Sequence, residues 1–358
     1  MAAALAALPE PQPVAADEPT QITLVAVGDI LLGRRLGVEM KESGDYSLPF
    51  HNISFLLTPA DIAFGNFEGV FCEKPPWPTT GMVFRLHPDS VKSLVAGGFD
   101  VVSVANNHFG DGGNACVTYS LAHLAAHGIA AAGAGNTYEE AHAPAILERL
   151  GVKFAFLAYT YEGRNDSPPA PKKNDPAAES SPANAEQTAA ASTAVPGRKS
   201  FATPRPTIAA RNPQNVRRDV AAARQVADVV IVSVHDGAEY LQRVAKETQE
   251  FSRAAIDAGA TAVLGHHPHV PQRIEQYNGG WIFYSLGNFV FQQNTPPAVK
   301  HSLIARLTFT GKTLTKVEAL PAYIETFARP RPATPEESAR ILKSIGVESP
   351  LLWQATAK

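Results

Sequence analysis

Short apolar runs recur along the chain, and each has the length of a buried strand. A strand that is covered on both faces appears as a continuous apolar run, as in the parallel sheets of α/β proteins. Helical patterns lie between the runs at residues 91–97, 115–127, 212–224 and 246–258. The alternation predicts an α/β fold, with the strands at residues 22–27, 61–64, 101–104, 152–161, 229–234, 261–265 and 281–291.

Two further elements are predicted toward the end of the chain. Residues 302–324 alternate in hydrophobicity around Gly311 and Lys312, which predicts an antiparallel hairpin that turns at these two residues. Thr334 and Glu337 stand three apart in TPEESARILKSIG, the spacing of a capping box, and predict that a short helix starts there.

Polar side chains gather where the predicted strands end. In open α/β sheets, ligands bind outside the carboxyl ends of the strands. A single Asp in that place can equally form a turn, and a polar loop can follow any strand, so each cluster alone leaves both interpretations open. Together they predict a ligand site at one rim of the sheet, built from Asp29, Asn66, Glu68, Asn106, Asn107, His108, Asp111, His235, His266, His267, His269, Gly287 and Asn288.

The residue types in these clusters favour a metal site. Carboxylate, amide and imidazole groups suit divalent Mn, Fe or Zn, and no thiolate is present to indicate a softer metal. His267 and His269 would project to one side of an extended segment, which makes them the better ligand pair in GHHPH, with His266 facing away or toward substrate. Paired metals would activate water for displacement at phosphorus. His108 could protonate a leaving oxygen, since imidazole exchanges protons near neutral pH.

Other candidate features are less specific. His123 and His127 lie four apart on one predicted helix face, but no Glu follows His123 as in HExxH, and a surface role is favoured over a metal site. Cys72 and Cys116 are the only cysteines, and they fit either two small core residues or one bridge. No phosphate loop, dinucleotide-binding or GxSxG motif occurs.

Composition sets the domain organisation and excludes one class of partner. The net charge is −3 without a basic block, which argues against nucleic acid. Residues 1–20 resemble a disordered arm or the remnant of a leader, and residues 163–200 are Pro/Ala/Ser-rich and predicted to be a disordered insert. Because histidine-tipped strands flank the insert, residues 21–330 are predicted to be a single domain, followed by a helical tail at residues 331–358.

Six motifs, in this order, resemble the bacterial capsule-biosynthesis CapA family, also called poly-γ-glutamate synthesis proteins. The motifs are VGDILLGR, ADIAFGNFEG, FDVVSVANNHFGDGG, VSVHDGAEY, VLGHHPHVPQ and FYSLGNFVF. The resemblance implies a fold similar to calcineurin-like metallophosphoesterases, a sandwich of two mixed β-sheets flanked by helices. It also implies metal ligands at Asp29, Glu68, Asn107, His235, His267 and His269.

The resemblance assigns further roles and shows some departures. It implies catalytic roles for His108 and Asp111, and substrate contacts are expected at Asn66, Asn106, His266 and Asn288. Ile30 and Leu31 stand where phosphoesterases carry a second ligand, and GNFE replaces an aspartate-bearing segment. Asp236 stands where the CapA pattern has Trp.

The expected function follows from this resemblance. The first hypothesis is an extracytoplasmic, cell-envelope protein of capsule or poly-γ-glutamate assembly that acts as a metal-dependent hydrolase. Its partners would be an anionic polymer or phosphate ester and membrane-bound synthase subunits. The alternatives are a non-catalytic protein that binds polymer or synthase, and a phosphoesterase for small phosphate esters.

Overall fold

A computed structural model describes residues 20–167 and 205–355. Most of the predicted arm at 1–20 and of the predicted insert at 163–200 lies outside these residues. Residues 163–167 are described, and Arg164 exchanges backbone hydrogen bonds with Ile208 there. The strands are β1 (Gln21–Ile30), β2 (Ile62–Phe67), β3 (Val70–Phe71), β4 (Arg85–Leu86), β5 (Val101–Ser103), β6 (Ala130–Ala132), β7 (Ala134–Gly135), β8 (Ala145–Arg149), β9 (Val152–Thr160), β10 (Thr207–Ile208), β11 (Val229–His235), β12 (Ala262–His266), β13 (Ile274–Tyr277), β14 (Gly280–Phe283), β15 (Asn288–Val290), β16 (His301–Thr310), β17 (Thr313–Ile324), β18 (Pro330–Pro332) and β19 (Leu351–Gln354). The α-helices are α1 (Arg34–Ser43), α2 (Ser54–Leu57), α3 (Val91–Ala96), α4 (Gly113–Ala126), α5 (Tyr138–His142), α6 (Pro213–Ala223), α7 (Lys246–Asp257) and α8 (Pro335–Ser344).

Among the described residues, two main sheets are formed, and both are mixed. The larger has the order β18-β17-β16-β1-β2-β5-β6, with β15 beside β1 and β19 beside β17. In it, β1, β2, β5 and β6 run parallel, while β16 and β17 form the predicted antiparallel hairpin. The smaller has the order β13-β14-β12-β11-β9-β8, with a parallel centre and antiparallel edges.

The two sheets pack face to face, as the alternation of side chains along their strands shows. In β11, Val229 and Ile231 belong to the core shared with the larger sheet, whereas Val230 and Val232 pack with α6 and α7 on the other face. Phe64 of the larger sheet stacks on Phe156 of the smaller, with ring centroids 5.6 Å apart. Helices α1, α3 and α4 contribute buried residues to the shared core. The predicted α/β sandwich flanked by helices is confirmed.

One predicted element is wrong, and the error affects the site. The run at 281–291 was predicted as a single strand, but it forms β14 in the smaller sheet and β15 in the larger. The chain crosses between the sheets around Gly287, which has the left-handed φ of +73° that glycine adopts without strain. Because of this crossing, Asn288 lies beside Asp29 of β1.

The remaining features of the fold are a disulfide and the elements near the end of the chain. Cys72 and Cys116 form a disulfide that links the segment after β3 to helix α4. Thr334 caps α8 in the predicted capping box with Glu337. After α8, β19 returns to pair with β17, a strand that the sequence pattern does not predict. Among the residues described, no helix combines the length and hydrophobicity that a bilayer crossing requires.

Candidate metal centre

The carboxyl ends of strands from both sheets meet at one edge of the sandwich. Strand pairing sets Asp29 opposite Asn66 on β2 and opposite Asn288 on β15. In the smaller sheet, His235 at the end of β11 pairs with His266 at the end of β12. The predicted collection of polar clusters at one rim is therefore observed, and the clusters come from two sheets.

Two glycines allow the strands to approach closely at this rim. A Cβ on Gly28 would lie 1.8 Å from the carbonyl oxygen of Gly287, to which the amide of Asp29 donates a 3.0 Å hydrogen bond. A Cβ on Gly265 would lie 1.9 Å from the carbonyl oxygen of Tyr284. Any side chain at either position would push the strands apart, so both glycines are required for the geometry of the site.

Asp29 lies at the middle of the cluster and is completely buried. Its Oδ1 accepts a 2.8 Å hydrogen bond from Asn66, and its Oδ2 lies 3.3 Å from Nδ1 of His269. Its Oδ1 is also 3.5 Å from Nδ1 of His266. Burial raises the pKa of Asp29, but contacts with the His266 and His269 rings and the charge of His235 outweigh it and hold the pKa well below its usual value.

A first group of metal-ligand type consists of Asp29, Glu68 and His235. One ligand atom from each lies within 4.8 Å of the others, and all three side chains are buried. Neither carboxylate oxygen of Glu68 has a hydrogen-bond partner among the described residues. Burial and the negative charge of Asp29 raise the pKa of Glu68 well above its usual value. A buried carboxylate without partners is costly, and a cation bound at this position would remove that cost.

A second group consists of Glu239, His267 and His269, again with ligand atoms within 4.8 Å of one another. It adjoins the first group, since Nδ1 of His267 lies 3.2 Å from Nε2 of His235. Glu239 is half-buried and was not among the residues predicted from the sequence. Its position four residues after His235 in HDGAEY is the signal that could have identified it.

The histidines reach these positions by a backbone that was not predicted. His267 and His269 have φ of +93° and +58°, so they are left-handed and do not alternate along an extended segment as expected. Such conformations cost free energy in residues other than glycine, and they are concentrated at functional sites. His266 remains in β12, completely buried, with neither ring nitrogen hydrogen-bonded within the described structure.

The histidines of the two groups differ in their protonation. Burial and the nearby His267 ring hold the pKa of His235 well below its usual value, and burial beside His269 also lowers the pKa of His267. Burial opposes protonation of His269, but the charge of Glu68 and the contact with Asp29 raise its pKa to about 9. Neutral imidazoles are the form that binds metals, and the cluster keeps two of its rings in that form.

His108 lies next to the two groups, and Asp111 fixes its orientation. Nδ1 of His108 is 2.8 Å from Oδ2 of Asp111, and the same oxygen accepts a 2.6 Å hydrogen bond from the amide of Phe84. The Phe84 ring stacks on the imidazole at 3.7 Å between centroids. Nε2 of His108 lies 3.9 Å from Oε1 of Glu68 and is not engaged by Asp111, and the catalytic role of this histidine stays a prediction.

The asparagines connect the cluster internally. The side-chain Oδ1 of Asn107 lies 2.8 Å from Nε2 of His235, and the role of Asn107 as a metal ligand stays a prediction. Asn106 donates to the side-chain Oδ1 of Asn66 at 3.2 Å, and the side-chain Oδ1 of Asn288 lies 2.8 Å from Nδ1 of His269. Substrate contact by Asn66, Asn106, His266 and Asn288 stays a prediction. All four side chains are almost fully buried, and the asparagines are hydrogen-bonded within the protein.

Two other sequence features point away from the centre. Asp236 forms an ion pair with Arg211 at 2.8 Å and accepts a 2.7 Å hydrogen bond from Thr248, so its carboxylate is engaged on the side of α7. On α4, Nε2 of His123 contacts the carbonyl oxygen of Pro88 at 3.0 Å, and Nδ1 of His127 contacts the carbonyl oxygen of His123 at 2.8 Å. These contacts favour the predicted surface role of the pair.

The fold and the cluster define an α/β two-sheet protein with a candidate metal centre at the carboxyl ends of its strands. Residues 23–293 match the model of the family described as bacterial capsule synthesis protein PGA_cap. The chain belongs to this family, and the predicted resemblance is confirmed.

Relatives of this chain carry related names. It is 28% identical to the "Capsule biosynthesis protein CapA" of Bacillus anthracis, over 90% of this chain and 72% of that protein. It is 30% identical to the "PGA biosynthesis protein CapA" of Bacillus subtilis, over 75% of this chain and 62% of that protein. A solved structure, a hypothetical protein from Thermus thermophilus, is similar with a TM-score of 0.48 and 15% identity, covering 84% of this chain and 98% of that one.

Proposed function

We propose that this chain is a metal-dependent hydrolase that acts in the assembly of a capsule or poly-γ-glutamate polymer. The observation that carries the proposal is the adjoining pair of ligand groups, in which the buried Glu68 carboxylate has no hydrogen-bond partner among the described residues. Asp29, Glu68, Asn107 and His235 would hold one divalent cation, and Glu239, His267 and His269 a second. Their oxygen and nitrogen donors suit Mn, Fe or Zn.

The residues around the cations have separate roles in this proposal. When bound, the cations supply Lewis acidity toward an oxygen of the scissile group. His108 exchanges a proton with the leaving group through Nε2, and Asp111 holds its ring by the 2.8 Å contact at Nδ1. Four further side chains contact the proposed ligand residues or their neighbours and hold them in position: Asn66, Asn106, His266 and Asn288.

The biological setting is proposed from the family. Relatives are named for capsule and PGA biosynthesis, which supports an acidic envelope polymer as substrate and polymer synthase subunits as partners. The Cys72–Cys116 disulfide supports an extracytoplasmic, envelope-associated location, because disulfides persist mainly in oxidising compartments.

Metal analysis of purified protein, combined with hydrolysis assays, tests the proposal. We expect the wild type to bind Mn, Fe or Zn. Glu68→Gln and His267→Ala should each lose the cation of their own group, about half of the bound metal, and His108→Ala should keep all of it. His108→Ala should lower kcat about 100-fold or more, since a positioned proton donor contributes at least that much. His127→Gln, on the exposed end of α4, is the matched control and should equal the wild type.

The outcomes also separate the alternative functions. A chain that binds no metal under any loading condition contradicts the hydrolase and indicates a polymer- or synthase-binding protein. Metal-dependent turnover of small phosphate esters, without turnover of acidic polymer, indicates a phosphoesterase. Equal activity in the wild type, His108→Ala and His267→Ala would identify the activity as a contaminant.

A further inference from the structure

A groove beside the candidate metal centre is lined by cations that form no ion pair among the described residues. It has a volume of about 140 Å³ and lies between the start of α1 and the segment at residues 77–87. Its walls include the apolar side chains of Leu32, Val38, Trp77 and Leu86. Arg34, Lys41 and Arg85 also line it, and no Asp or Glu does so among the described residues. We call it the cationic groove, defined by Arg34, Lys41, Trp77 and Arg85.

The three cations of the groove contrast with arginines elsewhere, such as Arg306, which binds Glu318 at 2.7 Å. Within residues 20–167 and 205–355, none of the three forms an ion pair with a carboxylate. Arg34 donates to the carbonyl oxygens of Gln292 and Gly81, and its Nε is buried without a hydrogen-bond partner there. Arg85 donates to the carbonyl oxygen of Lys74 at 3.1 Å. The ammonium of Lys41 lies over the Trp77 ring at 5.6 Å.

The Trp77 side chain, which forms the aromatic wall of the groove, is held in place by other residues of the chain. The indole of Trp77 donates a 2.9 Å hydrogen bond to the carbonyl oxygen of Cys72, and its ring lies 4.5 Å from that of His87. Cys72 is in turn bonded to Cys116 on α4. The wall is therefore fixed before any ligand arrives, which reduces the entropy that binding would cost.

The cationic groove is next to the catalytic end of the centre. The Arg34 guanidinium lies 4.7 Å from the centroid of the Phe84 ring, and that ring stacks on His108. A polymer with one unit at the cations could therefore place a neighbouring unit in the groove. The groove itself, at about 140 Å³, has room for one small unit.

We propose that the cationic groove is a subsite for one carboxylate-bearing unit of an acidic polymer. A unit with short methylene groups and a terminal carboxylate fits both parts of the lining. Its methylenes would contact Leu32, Leu86 and Trp77, and its carboxylate would bind Lys41 and Arg85. The choice of polymer rests on the proposed function, whereas binding in the groove requires neither cations nor hydrolysis.

Binding of a γ-linked oligoglutamate of defined length to the full chain, measured calorimetrically with EDTA present, tests the subsite. We expect Lys41→Gln and Arg85→Gln each to weaken binding about tenfold or more, because a charge-assisted hydrogen bond contributes about 1.5–3 kcal/mol. Binding should weaken further as salt rises. Lys246→Gln is the matched control, since Lys246 pairs with Glu250 on the exposed face of α7 and its substitution should leave affinity unchanged.

The assay separates failure of the subsite from failure of the hydrolase. Lys41 is exposed, so Lys41→Gln should keep the fold and the wild-type unfolding midpoint, and EDTA makes the measured affinity independent of any metal-dependent turnover. Equal affinity for oligoglutamate in the wild type, Lys41→Gln and Arg85→Gln overturns the subsite. Equally tight binding of inorganic polyphosphate overturns it as well, because that ligand has no methylene groups for the apolar wall.

Discussion

Individual residues in this site depend on neighbours that are far away in sequence. Asp29 contacts a histidine loop more than 200 residues later, and the amide of His267 lies 3.4 Å from its Oδ2. Each strand-end cluster was recognisable from the sequence because an apolar run preceded a polar group. Glu239 was missed because it lies in a loop after Gly237, and its nearness to His235 in sequence does not by itself show that the fold brings it to His267.

Glu239 gives a sharp prediction at this scale. Glu239→Gln should remove the only carboxylate of the second group and lower bound metal from about two ions per chain to about one, if the cations are paired. Metal analysis after loading and desalting measures this ratio. Asp236→Asn is the control, because Asp236 binds Arg211 and should leave the metal content unchanged. Full occupancy in Glu239→Gln would exclude Glu239 as a ligand.

At the scale of elements, apolar periodicity located most strands and helices, while the connections had to come from the structure. Helix α7 was predicted at 246–258 and is observed at Lys246–Asp257. The crossing at Gly287 was not predicted, because residues 281–291 are mostly apolar on both sides of Gly287, and the hydrophobic pattern alone does not say to which sheet a residue belongs. The left-handed turn of His267 and His269 likewise depends on contacts outside its own sequence.

A buried ion network links three elements and has its own pH dependence. His142 at the end of α5 lies 2.7 Å from Asp219 of α6 and 2.7 Å from Asp166, and Tyr159 of β9 donates to Asp219 at 2.8 Å. Burial lowers the pKa of His142, but hydrogen bonds with the two aspartates outweigh it and raise the pKa to about 9. The protonated ring therefore stabilises the folded chain relative to the unfolded one.

The sign of the effect follows from the raised pKa. The stabilisation is complete below the unfolded-state pKa of roughly 6.5 and is lost as pH rises through about 9. The difference in unfolding free energy between the wild type and His142→Gln should therefore shrink over this range, by up to about 3 kcal/mol. Urea titrations at several pH values measure it, with His127→Gln as control. A difference that stays constant with pH would contradict a charged His142.

At the scale of the whole molecule, the sequence was sufficient to predict the α/β sandwich and the family. It did not show which residues contact each other across long distances in the chain. Cys72 and Cys116 illustrate this, since both a bridge and two free core residues were compatible with their positions. Only the packing of α4 beside the segment after β3 brings the two sulfur atoms together. The cationic groove was also unpredicted, because Arg34, Lys41 and Arg85 are scattered in sequence and form no basic block.

The disulfide should contribute substantially to global stability. It spans 44 residues, and a loop of that length stabilises the folded state by about 4 kcal/mol in the chain-entropy model. The double variant Cys72→Ser, Cys116→Ser should lose about this much in urea unfolding at neutral pH, and reduced wild type should behave similarly. An unchanged midpoint and slope in both samples would show that the bridge does not form in solution.

The crossing of the chain at Gly287 has a consequence for how the protein matures. Asp29 pairs with Asn288 only after the last strand of that crossing has joined the larger sheet, and the histidine loop comes from the smaller sheet. The proposed ligands of the two groups lie between Asp29 and His269, so both groups can be complete only after residue 269 has been synthesised and the two sheets have packed together. The compartment in which the polypeptide finishes folding would therefore decide which metal it first meets.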